Sequence, residues 1–510
     1  MSRFGGPTLS AGATADVTLL LEGTYPFVSG GVSSWVHQII SGLPELTFGL
    51  VFIGGSPERY DRMRYTLPPN VVHLEEHFLS EVPASQRVVA RAGDRVFQEN
   101  SARLHDALRG QSKEPLEVAL ERLVRKLVVD PVRHEHDFLF SERAWLEITR
   151  RYEATAADRS FLEYFWTIRS MHAPLFIAAR VASSIPPSRL FQVISTGFAG
   201  FLGMLLRRTR RRPLVLTEHG IYTKERRIEL LQANWIKDDD HIAPDMEDVS
   251  VGLFRQLWIR FFEALGKMTY DAADPVISLY EGNRARQIKD GADESRTRVI
   301  PNGISVSRFE GLRRGPQEPI PPILGLIGRV VPIKDIKTFI RAMRIVCDEL
   351  AGAAGWIIGP EGEDPAYAEE CHYLVASLGL EEKVKFLGFR KIDEIFPRIG
   401  INVLTSISEA QPLVVLEGFA AGIPCVATDV GCCRELIEGA AGSDRDLGSA
   451  GDVVDIAAPE ETARATLALL RDRQRWLAAQ RVGIARVERL YTDRLMLDRY
   501  RAIYRTALGG

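Results

Sequence analysis

The chain has 510 residues, of which 45% are hydrophobic and 26% are charged, and its formal net charge is −3. This length predicts two domains, because single hydrophobic cores rarely grow beyond about 250–300 residues. Nucleic-acid-binding proteins typically carry a strong excess of basic residues, and this chain does not, so we expect no nucleic acid partner.

The cellular compartment is predicted from the cysteines and from the start of the chain. The five cysteines are an odd number and form no CxxC pair, which favours the reducing cytoplasm. Residues 1–15 are small and polar, so they are expected to be disordered and are not typical of a signal peptide. The apolar runs are shorter than the roughly 20 residues of a membrane-spanning helix. We expect a cytoplasmic protein, which a partner must recruit if it works at the inner face of the membrane.

The first predicted strand, 17–21, leads through a glycine-containing turn to Gly30-Gly31 and a helix that begins near Val32. A second strand is predicted at 46–53. A strand, a glycine loop, a helix and a second strand are the opening of a doubly wound α/β domain.

Residues from about 80 to 185 interrupt this alternation, because helical segments follow one another there without a strand. We interpret them as a helical insertion. Strands return at three apolar runs, 191–194, 214–217 and 276–278. A first Rossmann-like domain that would bind an acceptor is therefore predicted over 16–311.

The segment after Gly311 is rich in proline and glycine, which indicates a domain boundary. A second α/β series follows, with strands predicted at 323–327, 356–358, 384–387, 402–405 and 425–427. It predicts a second Rossmann-like domain over 312–485 with a parallel sheet that is buried on both faces. Residues 486–510 are predicted to form a C-terminal helix that crosses back to the first domain. Two such facing domains place a ligand cleft between the carboxyl ends of their strands.

Two glutamates bracket a predicted helix start in the second domain. Gln411-Pro412 indicates the start, because a proline at the first helical position loses only an amide without a partner. Glu409 precedes this helix and Glu417 lies inside it, so one carboxylate at the end and one on the flank would bracket an extended nucleotide-sugar. The free amides at the helix start favour a diphosphate. The alternative is a buried strand–helix unit with two surface glutamates.

A second cluster of charges follows the strand at 323–327. Arg329 offers a bidentate guanidinium and Lys334 a mobile ammonium, the two kinds of cation that suit a pyrophosphate leaving group. The alternative is that Lys334 and Asp335 only cap the next helix.

These segments resemble a known family. Glu409 to Glu417 is similar to the E-x7-E signature of the retaining family 4 glycosyltransferases, and Gly328-Arg329 with Lys334 is similar to their donor segment. Pro301-Asn302-Gly303-Ile304 resembles their usual entry to the C-terminal domain. The segments SGGVSSW, TEHGIYTKER and GPEGEDPAYAEEC resemble more specifically the cytosolic glycosyltransferases of Pel-type exopolysaccharide synthesis. The resemblance implies a GT-B fold.

The resemblance also implies a role for each matching residue. Arg329 and Lys334 would hold the pyrophosphate, Glu417 the ribose, and Glu409 the donor sugar. His219 would reach the transferring sugar, although a single histidine after a strand is also compatible with a structural role. The remaining expected contacts are made by the backbone. Gly30 and Gly31 would contact the donor or the acceptor, and the helix start at Pro412 and Leu413 would contact the diphosphate. The strand end at Leu387 would contact the uracil base.

The implied function is retaining transfer of a hexose, of glucose or N-acetylhexosamine type, from a UDP-sugar to a growing exopolysaccharide. No metal and no cofactor are expected, and the UDP-sugar is the donor substrate. Membrane-protein partners of a polysaccharide synthase complex are expected as well. Three alternatives stay open: a nucleotide-sugar 2-epimerase, a glycogen-synthase-like polymerase that uses ADP-glucose, and a catalytically silent module that senses nucleotide-sugars.

Three smaller features are assigned no catalytic role. Asp238-Asp239-Asp240 is interpreted as a polar loop rather than a metal site. Cys432-Cys433 are interpreted as buried or idle thiols. The segment 207–212 holds five arginines in six residues; it is interpreted as a solvated helix end, with contact to anionic lipid or to a partner as the alternative.

Overall fold

The computed structural model describes residues 5–10, 12–80, 91–108, 113–238, 251–440 and 442–509. The chain divides into two compact units. The first unit comprises residues 1–278, 284–299 and 501–510, and the second comprises residues 279–283 and 300–500.

The first unit is built on one parallel sheet of seven strands in the order β3-β2-β1-β4-β5-β6-β7. Its strands are β1 (Ala15–Glu22), β2 (Phe48–Gly54), β3 (Val71–Phe78), β4 (Ser188–Val193), β5 (Leu214–Glu218), β6 (Val276–Ser278) and β7 (Thr297–Val299). All seven residues of β2 are buried, as expected for a parallel strand that is covered on both faces. The strand order reverses between β1 and β4, which is the position where doubly wound folds bind ligands.

Helices cover this sheet, and five of them, α2 to α6, follow one another between β3 and β4. The predicted helical insertion is therefore confirmed. The helices in this part of the chain are α1 (Gly31–Gly42), α2 (Arg95–Leu108), α3 (Leu116–Val129), α4 (Pro131–Phe140), α5 (Glu142–Thr155), α6 (Phe161–Ser184), α7 (Phe198–Arg210), α8 (Tyr222–Gln232), α9 (Leu253–Ala272) and α10 (Glu281–Lys289).

The second unit has a parallel sheet of six strands in the order β10-β9-β8-β11-β12-β13. Its strands are β8 (Ile323–Ile327), β9 (Ala354–Ile358), β10 (Val384–Gly388), β11 (Ile401–Leu404), β12 (Cys425–Thr428) and β13 (Gly451–Val454). The helices that follow β7 along the chain are α11 (Ile336–Glu349), α12 (Pro365–Ser377), α13 (Ile392–Ile395), α14 (Leu413–Ala420), α15 (Cys433–Glu438), α16 (Pro459–Arg471), α17 (Arg473–Leu490) and α18 (Asp493–Leu508). Both predicted Rossmann-like domains are therefore present.

The domain bounds differ from the prediction in three places. The main division falls between residues 299 and 300 rather than after 311, because the turn that contains Asn302 hydrogen-bonds into the second unit, where the Asn302 amide donates to the Gln411 side chain at 2.6 Å. The second unit continues to residue 500, and only residues 501–510 belong to the first. Tyr504 is fully buried there, and its hydroxyl donates to the Gln192 side chain.

The third difference is at the start of the chain. Of the segment 1–15, which was predicted to be disordered, residues 1–4 and 11 lie outside the described residues. Residues 7–9 are attached to β3: the Leu74 amide donates to the Pro7 carbonyl at 2.9 Å, and the Leu9 amide donates to the His73 ring at 3.2 Å. These two hydrogen bonds fix the chain just before it enters β1.

Candidate functional site

In the second unit, the loops that follow β8, β11 and β12 leave the carboxyl edge of the sheet. The three strands are neighbours in the order β8-β11-β12, so the segments that follow them lie side by side. The first two carry motifs that the sequence singled out, Gly328 to Lys334 after β8 and Glu409 after β11, and the third carries Gly431 after β12.

Lys334 and Glu409 are in direct contact, although they lie 75 positions apart in the sequence. The Lys334 ammonium donates to Oε1 of Glu409, and both side chains are largely buried, with 19% and 13% of their surface exposed. The Ser406 hydroxyl donates to the same oxygen at 2.7 Å. Removing either partner would leave a largely buried charge unpaired, which is costly. The two residues therefore form one unit, although separate roles are predicted for them from the sequence.

The backbone around Lys334 is fixed by the end of β11. The Thr405 hydroxyl reaches the carbonyl oxygens of Lys334 at 3.1 Å and of Asp335 at 2.9 Å. Asp335 has a φ of 43° and caps α11, because its carboxylate accepts from the Thr338 amide at 3.3 Å. The helix-capping alternative therefore holds for Asp335, while the Lys334 side chain points to Glu409.

The loop that carries Glu409 is held by Gly431. A Cβ at Gly431 would lie 2.4 Å from the carbonyl oxygens of Glu409 and Ala410, and the φ of this glycine is 57°. Both facts require glycine at this position. The next amide, of Cys432, donates to the Ala410 carbonyl at 3.0 Å. Gly431 and Thr405 were not predictable from the sequence, because each acts through contacts between loops that are distant in sequence. Ser406 was not singled out either.

Arg329 lies at the outer side of the same edge. Its side chain is 52% exposed and pairs with Glu363 at 2.5 Å. The loop before it passes very close to the end of β9, because a Cβ at Gly359 would lie 1.9 Å from the Gly328 carbonyl oxygen. Arg329 is thus a surface cation on a closely packed turn, and solvent screens its ion pair.

Glu417 lies on α14, whose first helical residue is Leu413. Pro412 is the capping residue, so the predicted start at Pro412 is wrong by one residue. The pKa of Glu417 is raised to about 7, chiefly by burial, which the positive charge of Arg308 partly offsets and the negative charge of Asp393 reinforces. Its carboxylate has no hydrogen-bond partner among the residues that the structure describes.

The expected uracil contact, Leu387, lies at an irregular position of the edge strand β10. The pairing with β9 joins Phe386 to Ile357 and Gly388 to Ile358, so that Leu387 falls outside the register. An unpaired bulge residue of this kind does not take part in the backbone hydrogen bonds between the strands. Its backbone is therefore a candidate for the expected contact with the uracil base.

In the first unit, His219 follows β5 and lines a cavity at the carboxyl edge of that sheet. Burial lowers its pKa to about 4, so the imidazole is neutral at pH 7. Its ring meets Trp35 of α1 edge to face, with the ring centroids 4.8 Å apart. Within the described part of the chain, Nε2 has no hydrogen-bond partner.

Gly30 and Gly31 lie at the start of α1, where Gly30 is the capping residue. A Cβ at Gly30 would meet no atom within 4 Å, and its φ of 163° is extended backbone that any residue adopts. The fold itself therefore does not require glycine at residue 30. The predicted approach of a ligand to this backbone stays a prediction.

The three smaller features have structural explanations. Asp239 and Asp240 lie outside the described residues, and Asp238 accepts from the Phe254 amide at 2.8 Å at the start of α9. In the described ranges no group of three His, Cys, Asp or Glu side chains is arranged to hold a metal ion. Cys432 and Cys433 are buried, and burial raises their thiol pKa values.

The arginine segment 207–212 is only partly a solvated helix end. Arg210 donates to the carbonyl oxygens of Ala182 and Ile185 at 3.1 and 3.0 Å. Arg208 pairs with Glu121 at 3.3 Å. Two of its five arginines thus hold α7 against the helical insertion.

Among the described helices, none is both long enough and apolar enough to cross a membrane.

Solved structures support the assignment of the fold. Anabaena HepE in complex with UDP and glucose is 16% identical, with 96% of this chain and 99% of that chain covered and a TM-score of 0.55. Sucrose-phosphate synthase from Thermosynechococcus elongatus is also 16% identical, with 96% and 98% covered and a TM-score of 0.56. The two parallel-sheet domains and these likenesses define a GT-B fold.

Two family models match the chain, one in each unit. Residues 15–295 match the family described as a domain of unknown function (DUF3492). This match spans more than half of the chain, so the chain belongs to that family. Residues 321–472 match the glycosyl transferases group 1, so the second unit carries a group 1 glycosyltransferase domain.

Curated relatives are similar over part of the chain. The D-inositol 3-phosphate glycosyltransferase of Streptomyces griseus is 30% identical over 182 residues, which are 34% of this chain and 37% of that protein. The lipopolysaccharide core biosynthesis mannosyltransferase LpsB of Rhizobium meliloti is 30% identical over 224 residues, which are 41% of this chain and 61% of that protein. The chain thus spans less than two thirds of the length of either relative.

Proposed function

We propose that the protein is a retaining glycosyltransferase that transfers a hexose from a UDP-sugar to a growing exopolysaccharide. The observation that carries this proposal is the Lys334–Glu409 unit beside Arg329, at the carboxyl edge of a group 1 glycosyltransferase domain. A cation and a carboxylate held in contact present opposite charges to the two halves of a sugar diphosphate.

Each member of this unit has a role in the proposed reaction. Lys334 and Arg329 neutralise the negative charge that develops on the departing diphosphate, and this stabilisation counts most in the transition state. Glu409 exchanges part of its contact with Lys334 for the hydroxyl groups of the donor sugar. Glu417, whose carboxylate has no partner among the described residues, accepts hydrogen bonds from the ribose hydroxyls.

Retention is proposed to follow a same-face route, in which the departing diphosphate helps to deprotonate the acceptor. The alternative is a double displacement with Glu409 as the nucleophile. The ion pair with Lys334 and the hydrogen bond from Ser406 favour the first route, because both occupy Oε1 of Glu409 and lower its nucleophilicity. Glu409→Gln separates the two routes: clear residual transfer is expected for the same-face route, and complete loss of transfer in this variant, or a glycosyl-enzyme trapped on Glu409 of the unsubstituted protein, would contradict it.

UDP as the donor nucleotide is supported by the family resemblance and by the solved complex of HepE with UDP and glucose, a protein of similar fold. A sucrose-phosphate synthase and a mannosyltransferase are among the similar proteins as well. We therefore propose only the class of the transferred hexose, which is of glucose or N-acetylhexosamine type. His219 is proposed to contact the transferring sugar, as the same resemblance implies.

The exopolysaccharide is proposed to be of the Pel type, because the segments around Ser29, Thr217 and Gly359 resemble PelF, the cytosolic glycosyltransferase of that synthesis. The proposal includes recruitment by membrane-protein partners of the synthase complex. It also includes a reaction without a metal ion, in which Arg329 and Lys334 supply the charge that a divalent cation supplies in other glycosyltransferases.

Thermal unfolding in the presence of nucleotides tests the donor. UDP at one hundred times its dissociation constant is expected to add about 2.7 kcal/mol to the free energy of unfolding, with smaller effects of ADP and GDP at the same concentration. A larger shift with ADP would favour the polymerase alternative that uses ADP-glucose, and equal shifts would overturn the assignment of uridine.

A further inference from the structure

The cavity that His219 lines is a ligand site by position and size. It has a volume of about 610 Å³, and it lies where β1, β4 and β5 end, beside Glu22, Ser195 and His219. Doubly wound domains bind ligands at this edge, and small-molecule sites occupy about 300–1,000 Å³. The pyrophosphate and ribose motifs lie in the other unit, and apart from His219 the lining holds no residue that is proposed to contact the donor, so most of this cavity is left for a different ligand.

One wall of the cavity is a continuous group of aromatic rings. Trp258 and Phe262 of α9 are stacked with their ring centroids 5.9 Å apart. Trp235 meets Trp258 edge to face at 5.6 Å, and Tyr222 meets Phe262 in the same way at 5.9 Å. Aromatic rings of this kind combine a large apolar face with a polar edge, which suits a pyranose ring, since a pyranose has C–H groups on its faces and hydroxyls around its rim.

Three polar atoms in the cavity have no hydrogen-bond partner among the described residues: Nε2 of His219, Nε1 of Trp258 and Oγ1 of Thr24. His219 and Trp258 are each only 8% exposed. Buried polar groups are almost always satisfied in native proteins. The indole N–H only donates, whereas the neutral imidazole and the hydroxyl also accept. A ligand that donates and accepts at several points, as a sugar hydroxyl does, satisfies all three atoms.

The charges that line the cavity disfavour an anionic ligand. Arg226 is already paired with Glu229 at 2.6 Å, and Arg59 is exposed. Glu22 accepts from the Tyr222 hydroxyl at 2.8 Å, and Glu225 is a third carboxyl group of the lining. A phosphate group would therefore face three carboxyl groups, the paired guanidinium of Arg226 and the exposed guanidinium of Arg59, so carboxyl groups outnumber the cations that phosphate sites require.

We infer that this cavity is the acceptor site and that it binds an uncharged saccharide, stacked on the Trp235–Trp258 wall, rather than a phosphorylated sugar or polyol. The inference rests on the proposed function, because it names the acceptor class of that reaction. Trp235, Trp258 and Thr24 are then specificity-determining residues for the acceptor.

Direct binding to the full chain without donor tests this inference. The probes are a neutral glucose trisaccharide, a neutral N-acetylglucosamine trisaccharide, and the same glucose trisaccharide carrying one phosphate. Calorimetry or saturation-transfer NMR is expected to detect binding of at least one neutral probe, and phosphorylation of the glucose probe is expected to abolish binding or weaken it about tenfold. Tighter binding of the phosphorylated probe, or no binding of either neutral probe, would overturn the inference.

Two matched tryptophan variants locate the site. Trp235→Ala removes a cavity side chain that is 64% exposed, and Trp145→Ala removes a tryptophan of α5 that is 51% exposed and lies outside the cavity lining. Trp235→Ala is expected to weaken binding of the neutral probe about fivefold or more, and Trp145→Ala to leave it unchanged. Thr24→Val, which keeps the side-chain shape, is expected to weaken binding as well. Equal effects of the two tryptophan variants would place the saccharide elsewhere.

The UDP-induced thermal shift, measured on the same samples, separates this inference from the proposed function. A normal UDP shift without saccharide binding overturns the acceptor site alone. Saccharide binding without any UDP shift supports the acceptor site and overturns the proposed donor.

Discussion

At the scale of single residues, the candidate donor site combines the Lys334–Glu409 ion pair with the cation of Arg329 and the carboxyl group of Glu417. Arg329, Lys334, Glu409 and Glu417 were found because their spacing resembles a family signature. The contact between Lys334 and Glu409 was not predictable, since it joins two loops through the order of the strands β8 and β11. The assigned roles of these residues, and of His219, stay predictions.

The first prediction concerns Lys334. Lys334→Ala is expected to lower kcat more than it raises the KM for the donor, because the diphosphate charge develops in the transition state. It is also expected to lower the free energy of unfolding by about 1–3 kcal/mol, since it leaves the largely buried Glu409 without its cation.

A double variant separates these two effects. Lys334→Met combined with Glu409→Gln removes both charges, so it is expected to recover most of the stability but none of the turnover. Steady-state kinetics and chemical unfolding measure the two quantities on the same samples. An unchanged kcat in Lys334→Ala would assign this residue a structural role only.

The second prediction is a pH dependence of UDP binding that comes from Glu417. Burial raises the pKa of this carboxyl group to about 7. The ionised form accepts hydrogen bonds from the ribose hydroxyls, so UDP affinity is expected to rise between pH 6.5 and about pH 8, as the group loses its proton. Glu417→Gln, measured over the same pH range by calorimetry, is the control: it is expected to bind UDP more weakly and with a flatter profile. An identical pH profile in the variant would contradict the role of Glu417.

At the scale of elements, most strands were predictable, whereas three strands at sheet edges, β3, β7 and β13, were not. The apolar runs that became β1, β2, β8 and β12 were recognised within a few residues. β3 was missed because its sequence, VVHLEEHF, carries four charged or imidazole side chains. β7 and β13 have three and four residues and lie at the sheet edges. They were missed because a strand this short has too few residues to show the periodic pattern of apolar side chains.

The third prediction concerns the loop after β12. Gly431→Ala places a Cβ against two carbonyl oxygens at a positive φ, so it is expected to displace the Glu409 loop, to lower the free energy of unfolding by about 1–3 kcal/mol, and to reduce UDP binding. Gly311→Ala is the matched control, because its Cβ would meet no atom within 4 Å. Thermal unfolding with and without UDP compares the two variants. Equal behaviour would show that Gly431 does not position the loop.

At the scale of the whole molecule, the sequence predicted two Rossmann-like domains and a helical insertion, and the GT-B fold agrees. The bounds were less predictable. A proline-rich and glycine-rich segment after residue 311 indicated the division, but hydrogen bonds of the preceding turn assign residues 300–311 to the second unit. Such long-range contacts leave no local signal in the sequence.

The fourth prediction is that the reaction needs no metal ion. Arg329 and Lys334 are proposed to supply the positive charge that stabilises the departing diphosphate at the candidate donor site. Activity is therefore expected to survive incubation with EDTA, and added Mn²⁺ or Mg²⁺ is expected to leave kcat unchanged. Loss of activity on chelation that returns with either ion would contradict the proposed charge stabilisation.

The most direct test of the central claim is an analysis of the products formed from UDP-sugars. The full chain is incubated with a panel of α-linked UDP-hexoses, with ADP-glucose in parallel, and with a neutral oligosaccharide acceptor, and the products are analysed by mass spectrometry and NMR. The prediction is that at least one UDP-hexose extends the acceptor by hexose units whose new glycosidic bonds are α. Products with β bonds, or extension from ADP-glucose alone, would contradict a retaining UDP-sugar transferase.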